Sequence, residues 1–479
     1  MGNINEITDN PALAGDGVAG GEEREGSEGD EGFATRQLHA GYDAPRHLDS
    51  SSVPIYATAG YDLHNAARGS RAANGLEPGA HLYSRVGNPT PEVLEGRLAS
   101  LDGGVAAVAF SSGMAAISST ILNLADHGGR IVSTRDLYGG TFDFINNLLP
   151  ALGVGVDYVD TVDDEQQLEA AIGPDTRLIF LESVSNPTTR ITDLDLVARV
   201  AHRHGVAVVV DNTLPTPYLF RPIEHGADIV VYSTTKAING HGNAVGGAVV
   251  DAGKLDYGPD NHVDDEERST QGGVKPRYPQ FNSFVHNISD EAHGQRRSFV
   301  DAYGRKAFIQ RLRLKYLRLL GAEPGPFESY LTLQGLETLD VRLDRAVSNT
   351  LTVARFLDAH PHVARVDYAD LQDSPDHALA ERDYPLGVGT VLAFTLEGGV
   401  EQANAFIDAT QVFTYLTNIG DSKSLIVDPA RTTHREFNAD QQRAIGVEPT
   451  TIRLSIGLED SRDLIADLER GFRAAYGQA

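Results

Sequence analysis

The chain has 479 residues, no cysteine, 41% hydrophobic residues and a net charge of −27. Disulfides, thiolate metal sites and cysteine nucleophiles are excluded, nothing marks a metal site, and so acidic a surface would repel nucleic-acid phosphates. No apolar run reaches the roughly 20 residues of a membrane span and no secretory leader is evident, so a cytoplasmic protein of two packed domains is expected.

Residues 1–34, with the stretch GDGVAGGEEREGSEGDEG, are too poor in apolar side chains to offset their ordering entropy and are predicted to be a disordered acidic tail. From 96 onwards short Val/Ile-rich runs alternate with helical stretches: strands are predicted at 105–110, 130–134, 156–160, 177–183, 207–212 and 228–234. Helices are predicted at 113–125 and 193–204, the second with Asp193 as its N-cap. The alternation predicts an α/β domain over 96–325 with a mostly parallel sheet. A Gly- and charge-rich insertion spans about 258–310. Apolar residues then recur every three or four positions from Leu336 to Leu357, predicting a long amphipathic helix in a second domain, 326–479. Strand-like runs at 390–397 and 450–457 make that domain a smaller α+β unit.

Lysine occurs only at 236, 254, 275, 306, 315 and 423. An acidic, lysine-poor chain suits a salt-loving cell. Lys236 alone sits in a recognisable setting, a strand end running into a Gly-rich loop (YSTTKAINGHG) with Ser233 and Thr235 beside it. A desolvated lysine amine can attack an aldehyde cofactor, and the two hydroxyls suit a phosphate. Asp211 closes another strand (VVVDNT), where α/β proteins bind ligands. A carboxylate there can keep the pyridine nitrogen of pyridoxal phosphate protonated. Gly113 and Met114 (SSGMAA) open a helix and would offer backbone N–H groups to a phosphate. Tyr138 (DLYGGT) supplies an aromatic face for the ring, Asn186 (SNPT) an amide for its phenolic oxygen, and Arg453 (RLSIG) a fork for a carboxylate.

In this order the motifs resemble the Cys/Met-metabolism branch of fold-type I pyridoxal-phosphate enzymes, from about Thr35 to the C-terminus. TRQLHAGYD, VPIYATAGY, LYSRVGNPT, SSGMAA, LYGGT, SNPT, VVVDNT, STTKAINGHGN and IRLSIGLED carry the likeness. LTLQGLETL (331–339) and LTNIGDSKSLIVDPARTTH (416–434) are most similar to O-acetylhomoserine sulfhydrylases. The resemblance implies a cofactor-binding large domain and a smaller C-terminal one. Lys236 would hold the cofactor covalently and serve with Tyr138 in catalysis. Asp211 would face the ring nitrogen, Tyr138 would stack on the ring, and Gly113, Met114, Ser233 and Thr235 would bind the phosphate. Residues 35–95 would form an arm that brings Tyr83 and Arg85 to the phosphate of a neighbouring subunit, within a homotetramer. Asn186, Asn418 and Arg453 would bind the substrate. The implied reaction is γ-replacement of O-acetyl-L-homoserine by sulfide. A cystathionine γ-synthase or γ-lyase of the same branch is the nearest alternative, and a non-catalytic cofactor-binding regulator a remote one. Three positions depart from the family pattern: Ala237 stands for a bulky residue, Asp428 for a histidine, and Arg431 for a small residue.

Overall fold

The inner strands of the main sheet alternate their side chains between two separate cores. In β5 (Ala207–Asp211), Ala207 and Val209 enter one and Val208 and Val210 the other. In β4 (Thr176–Glu182), Leu178 and Phe180 match the first pair and Ile179 and Leu181 the second. This two-sided burial explains the continuous hydrophobicity of the runs; each fully buried Val or Leu contributes about 1.5–3 kcal/mol. The computed structural model describes residues 31–73, 77, 79–263, 275–282, 284–289, 296–435 and 437–477.

The sheet has seven strands in the order β1-β7-β6-β5-β4-β2-β3. The remaining five are β1 (Ala106–Phe110), β2 (Arg130–Ser133), β3 (Gly155–Tyr158), β6 (Ile229–Tyr232) and β7 (Gly247–Asp251). Neighbours from β3 through β6 are parallel, while β7 runs antiparallel to both β6 and β1. The six predicted strands are present with ends shifted by one or two residues. β7 was not predicted, since its short GAVVD run follows directly on the Gly-rich loop. The helix Gly113–Ala125 lies in one core and the helix Leu194–Arg203, capped by Asp193, in the other.

Two short ribbons, β8 (His262–Val263) with β9 (Lys275–Pro276) and β10 (Phe284–Ser289) with β11 (Arg296–Ser298), lie within the predicted insertion, followed by the helix Phe299–Tyr303. The second sheet runs β12-β13-β16-β15-β14, from β12 (Val363–Asp367), β13 (Val391–Leu396), β14 (Thr414–Tyr415), β15 (Leu425–Val427) and β16 (Thr451–Ser455). Its Leu392, Phe394, Ile452 and Leu454 share the core of the helix Leu194–Arg203.

Several boundaries differ from the sequence expectation. Residues 1–30 of the predicted tail lie outside the described residues, Glu31 and Gly32 are exposed, and Phe33–His39 is already a helix, with the Phe33 ring against Tyr218. The tail therefore ends before 34. The arm cannot end at 95, which falls inside the helix Pro89–Asp102. That helix packs against β1 and against Gly41, where a Cβ would lie 2.7 Å from the Arg97 nitrogen. The long helix predicted from Leu336 to Leu357 is present as Leu339–Asp358, starting three residues later because Leu336 closes the preceding helix Pro326–Leu336 before the turn at Glu337–Thr338. Phe33–Ala479 form one compact unit.

Candidate active site

A cavity of about 550 Å³ opens over the carboxyl ends of β4, β5 and β6, where open α/β sheets bind ligands. Gly113, Met114, Tyr138, Asn186, Asp211, Ser233, Thr235, Lys236, Asn418 and Arg453 all line it. Ten of the twelve residues singled out by sequence are thus brought together. Tyr83 and Arg85 are not: both are exposed, and Arg85 Nη1 donates to the Arg318 carbonyl at 2.6 Å.

Lys236 follows β6 by four residues, and its N–H donates to Ser233 O at 3.2 Å in a tight turn. Its Nζ donates to Asn418 Oδ1 at 2.6 Å. Burial, helped by the charge of Arg453, pushes the amine down to about 8, so a usable fraction is neutral near physiological pH. Arg453 belongs to β16, which lies between β13 and β15, so it stands in the sheet interior and not at an edge. Its Nη1 donates to Asn186 Oδ1 at 3.2 Å and its Nη2 to Asn418 O at 3.1 Å. Burial lowers Arg453 to about 10, and its Nε is buried without a hydrogen-bond partner. A buried cation with a donor to spare is suited to a carboxylate. Asp211 is buried, its Oδ1 accepts the Thr213 amide at 3.0 Å, and desolvation raises it to about 6.

The phosphate candidates also meet. A Cβ on Gly113 would lie 2.7 Å from Ser233 Cβ, so only glycine lets the helix N-terminus approach the lysine loop. The Thr235 hydroxyl donates to Gly246 O at 3.1 Å, so it would have to exchange that carbonyl for an anion. Tyr138 lies five residues beyond β2, not at the strand end, and is 42% exposed over the cavity.

Four further residues belong to the site. Glu182 ends β4 in the cavity wall, and its Oε1 accepts the Tyr138 amide at 2.6 Å. The signal that found Asp211, a carboxylate at a strand's carboxyl end, applies equally to it. His434 bonds the Asn186 carbonyl at 3.1 Å, and burial and Arg453 push it down to about 4, so it stays neutral. Arg431 and Arg435 line the outer wall. Two of the departures from the family pattern prove to be partners: Arg431 Nε pairs with the buried Asp428 carboxylate. That carboxylate also accepts the Tyr415 hydroxyl at 2.7 Å, while Arg431 Nη2 donates to Asn404 Oδ1 at 2.7 Å. The third departure, Ala237, is buried against Gly420, where an added Cβ would lie 2.5 Å from the Ala237 nitrogen.

The profile of the Cys/Met metabolism PLP-dependent enzymes matches residues 34–473. The chain belongs to that family. An O-acetyl-L-homoserine sulfhydrylase of Corynebacterium glutamicum is 40% identical over 443 residues, 92% of this chain and 97% of its own. A homocysteine synthase of Schizosaccharomyces pombe is 39% identical over 93% of this chain and 99% of its own. A Campylobacter jejuni structure assigned as an O-acetylhomoserine (thiol)-lyase, holding N′-pyridoxyl-lysine-5′-monophosphate at one lysine position, superposes with a TM-score of 0.83 at 35% identity. It is covered in full, by 92% of this chain. The protein is therefore a pyridoxal-phosphate-dependent enzyme of fold type I. Its cavity fits that cofactor: a neutralisable lysine, a strand-end carboxylate and a glycine-opened helix N-terminus converge in one wall.

Proposed function

We propose that the protein catalyses γ-replacement on O-acetyl-L-homoserine with sulfide, yielding L-homocysteine and acetate. The observation that carries this reading is the joining of Lys236, Asp211 and Arg453 in one cavity, which gathers an amine lowered to about 8, a buried carboxylate and a guanidinium suited to a carboxylate. Near 40% identity over almost the full length of an O-acetylhomoserine sulfhydrylase supports the choice of substrate.

Bound pyridoxal phosphate supplies the sink for the electron pair left when a carbon beside the substrate amine loses its proton. The protein's own groups do the rest. Lys236 would hold the cofactor and Asp211 would keep the ring nitrogen protonated. Gly113, Met114, Ser233 and Thr235 would bind the phosphate, and Tyr138 would cover the ring. Arg453, oriented by Asn186 Oδ1, grips the substrate carboxylate and so fixes which hydrogen faces Lys236. The Lys236 amine, steered by Asn418 Oδ1, removes the α proton, would pass it on to the bound cofactor and, neutral again, removes one from Cβ, and acetate leaves Cγ with its bonding pair. Hydrosulfide forms the new C–S bond at Cγ, and Lys236 returns the protons to Cβ and Cα.

The same reading divides the chain into a cofactor-binding domain, 96–325 with the helix Pro89–Asp102 added, and a smaller substrate-side domain, 326–479. It places Tyr83 and Arg85 at a neighbour's phosphate in a homotetramer, in the cytoplasm of a salt-adapted cell. The test is turnover of the purified yellow protein on acetyl and succinyl esters of homoserine, each with sulfide or cysteine. Homocysteine formed fastest from the acetyl ester and sulfide is expected. Cystathionine as the main product, or no product from any pair, overturns the reading.

A further inference from the structure

The proposed chemistry leaves Glu182 without a task, although it stands in the cavity wall. It closes β4 as Asp211 closes β5, and the register sets them opposite each other, Glu182↔Asp211, on neighbouring parallel strands. Both lie on the face that Leu178, Phe180, Ala207 and Val209 bury, the face of the helix Gly113–Ala125. Parallel strands lie about 4.8 Å apart, so side chains leaving one face at paired positions are neighbours. Glu182 is 7% exposed and Asp211 8%.

Two carboxyls this close in a buried wall do not both ionise. The groups facing Glu182 sharpen the point. Asp211 adds a negative charge from β5 and Asp136 another from the segment after β2, while the Tyr138 and Asn186 amides donate hydrogen bonds. The cations in the cavity are Lys236, Arg453, Arg431 and Arg435, and Arg453 is engaged with Asn186 and Asn418. Each carboxyl accepts two hydrogen bonds, Asp211 from the amide and hydroxyl of Thr213, but Glu182 also faces the second carboxylate, Asp136, which does not act on Asp211. Desolvation, then Asp211, push the Glu182 carboxyl well above the usual range, so the shared proton belongs on Glu182.

We propose that Glu182 is a positioning residue that stays protonated at neutral pH, leaving a single negative charge, on Asp211, to face the cofactor ring, while its carboxyl oxygen anchors the Tyr138 amide and so holds that aromatic ring over the cavity. The part concerning the cofactor rests on the reading above; the proton on Glu182 does not.

The proton is read directly by infrared spectroscopy of the full-length protein at neutral pH. A neutral-acid carbonyl band that shifts in D2O should be present in the wild type and missing in Glu182→Gln; a wild-type spectrum without that difference overturns the proposal. Asp211→Asn provides a second route. Removing the neighbouring charge should let the Glu182 band titrate at lower pH than in the wild type, and an unmoved titration counts against the pairing. The anchoring is read by cofactor retention during dialysis. Glu182→Ala should lose cofactor about tenfold faster, the scale of one unmet buried hydrogen bond. Glu182→Gln, neutral and still an acceptor, should restore retention to within about threefold; a Gln variant as leaky as Ala overturns the neutral role. A band assigned to Glu182 in a protein that turns over no homoserine ester would sink the proposed reaction and leave this inference standing.

Discussion

The floor and the outer wall of the cavity are built differently. The floor comes from consecutive strand ends: Glu182, Asp211 and the loop carrying Lys236 belong to one sheet, fixed by one ladder of register. The wall comes from the second sheet and its loops, with Asn418, Arg431, Arg435 and Arg453 reaching over from far along the chain. The floor is acidic and buried, whereas the wall is cationic and graded from the fully enclosed Arg453 to the 41% exposed Arg431 side chain. The paired departures from the family pattern, Asp428 and Arg431, lie in the wall. On the proposed reading the floor would govern where protons and charge sit, and the wall what is held above them.

Breaking the floor should cost most. Lys236→Ala should abolish covalent cofactor attachment and lower turnover by at least about 10³-fold, checked by absorbance after dialysis and by single-turnover assay. If the wall grips the substrate, Arg453→Ala should raise KM for the amino acid and cost about 2–5 kcal/mol in kcat/KM, with less loss in kcat. The two regions also couple through charge. In cofactor-free protein, the rate of cofactor capture should rise with pH to a plateau above about 8, because the neutral Lys236 amine is the reactive form. Arg453 helps to hold that amine down, so Arg453→Ala should move the curve to higher pH, which stopped-flow absorbance can follow.

Arg342 offers a structural version of the same comparison. From the helix Leu339–Asp358 it donates to Ala237 O at 2.9 Å, Ile238 O at 3.3 Å and Gly335 O at 2.7 Å, bracing the lysine loop. Arg342→Ala should cost about 1–3 kcal/mol of stability, measured by denaturant unfolding. The smallest effect is expected at the rim: Arg431→Ser frees Asp428 and should change the ratio of acetyl to succinyl ester use by no more than about tenfold, the range of an exposed charge. A larger change would move the division between acyl esters to the rim.

Much of the floor was legible because its signals are local. A hydrophobic run that ends in Asp, or that runs into Ser-Thr-Thr-Lys, places that residue at or just beyond the carboxyl end of a strand whatever the rest of the chain does. Glu182 carries the same strand-end signal, which the more distinctive Asn-Pro motif at Asn186, four residues later, overshadows. Strands β12, β14 and β15 went unpredicted because they are two to five residues long and lean on neighbours for their pairing. β16 was predicted as a strand, but its central place was not, since edge and interior differ only in what lies alongside.

By itself, the sequence determined the alternating α/β pattern, the lysine and the aspartate at strand ends, and the chemistry those residue types permit, because periodicity and strand-end position depend on near neighbours. Only the tertiary structure decided that Asn418 meets the amine of Lys236, that Arg453 stands inside a sheet above it, that Glu182 confronts Asp211, and that Asp428 pairs with Arg431. Most of these contacts join segments far apart in the chain, so they follow from strand register and from the packing of the second sheet on the first.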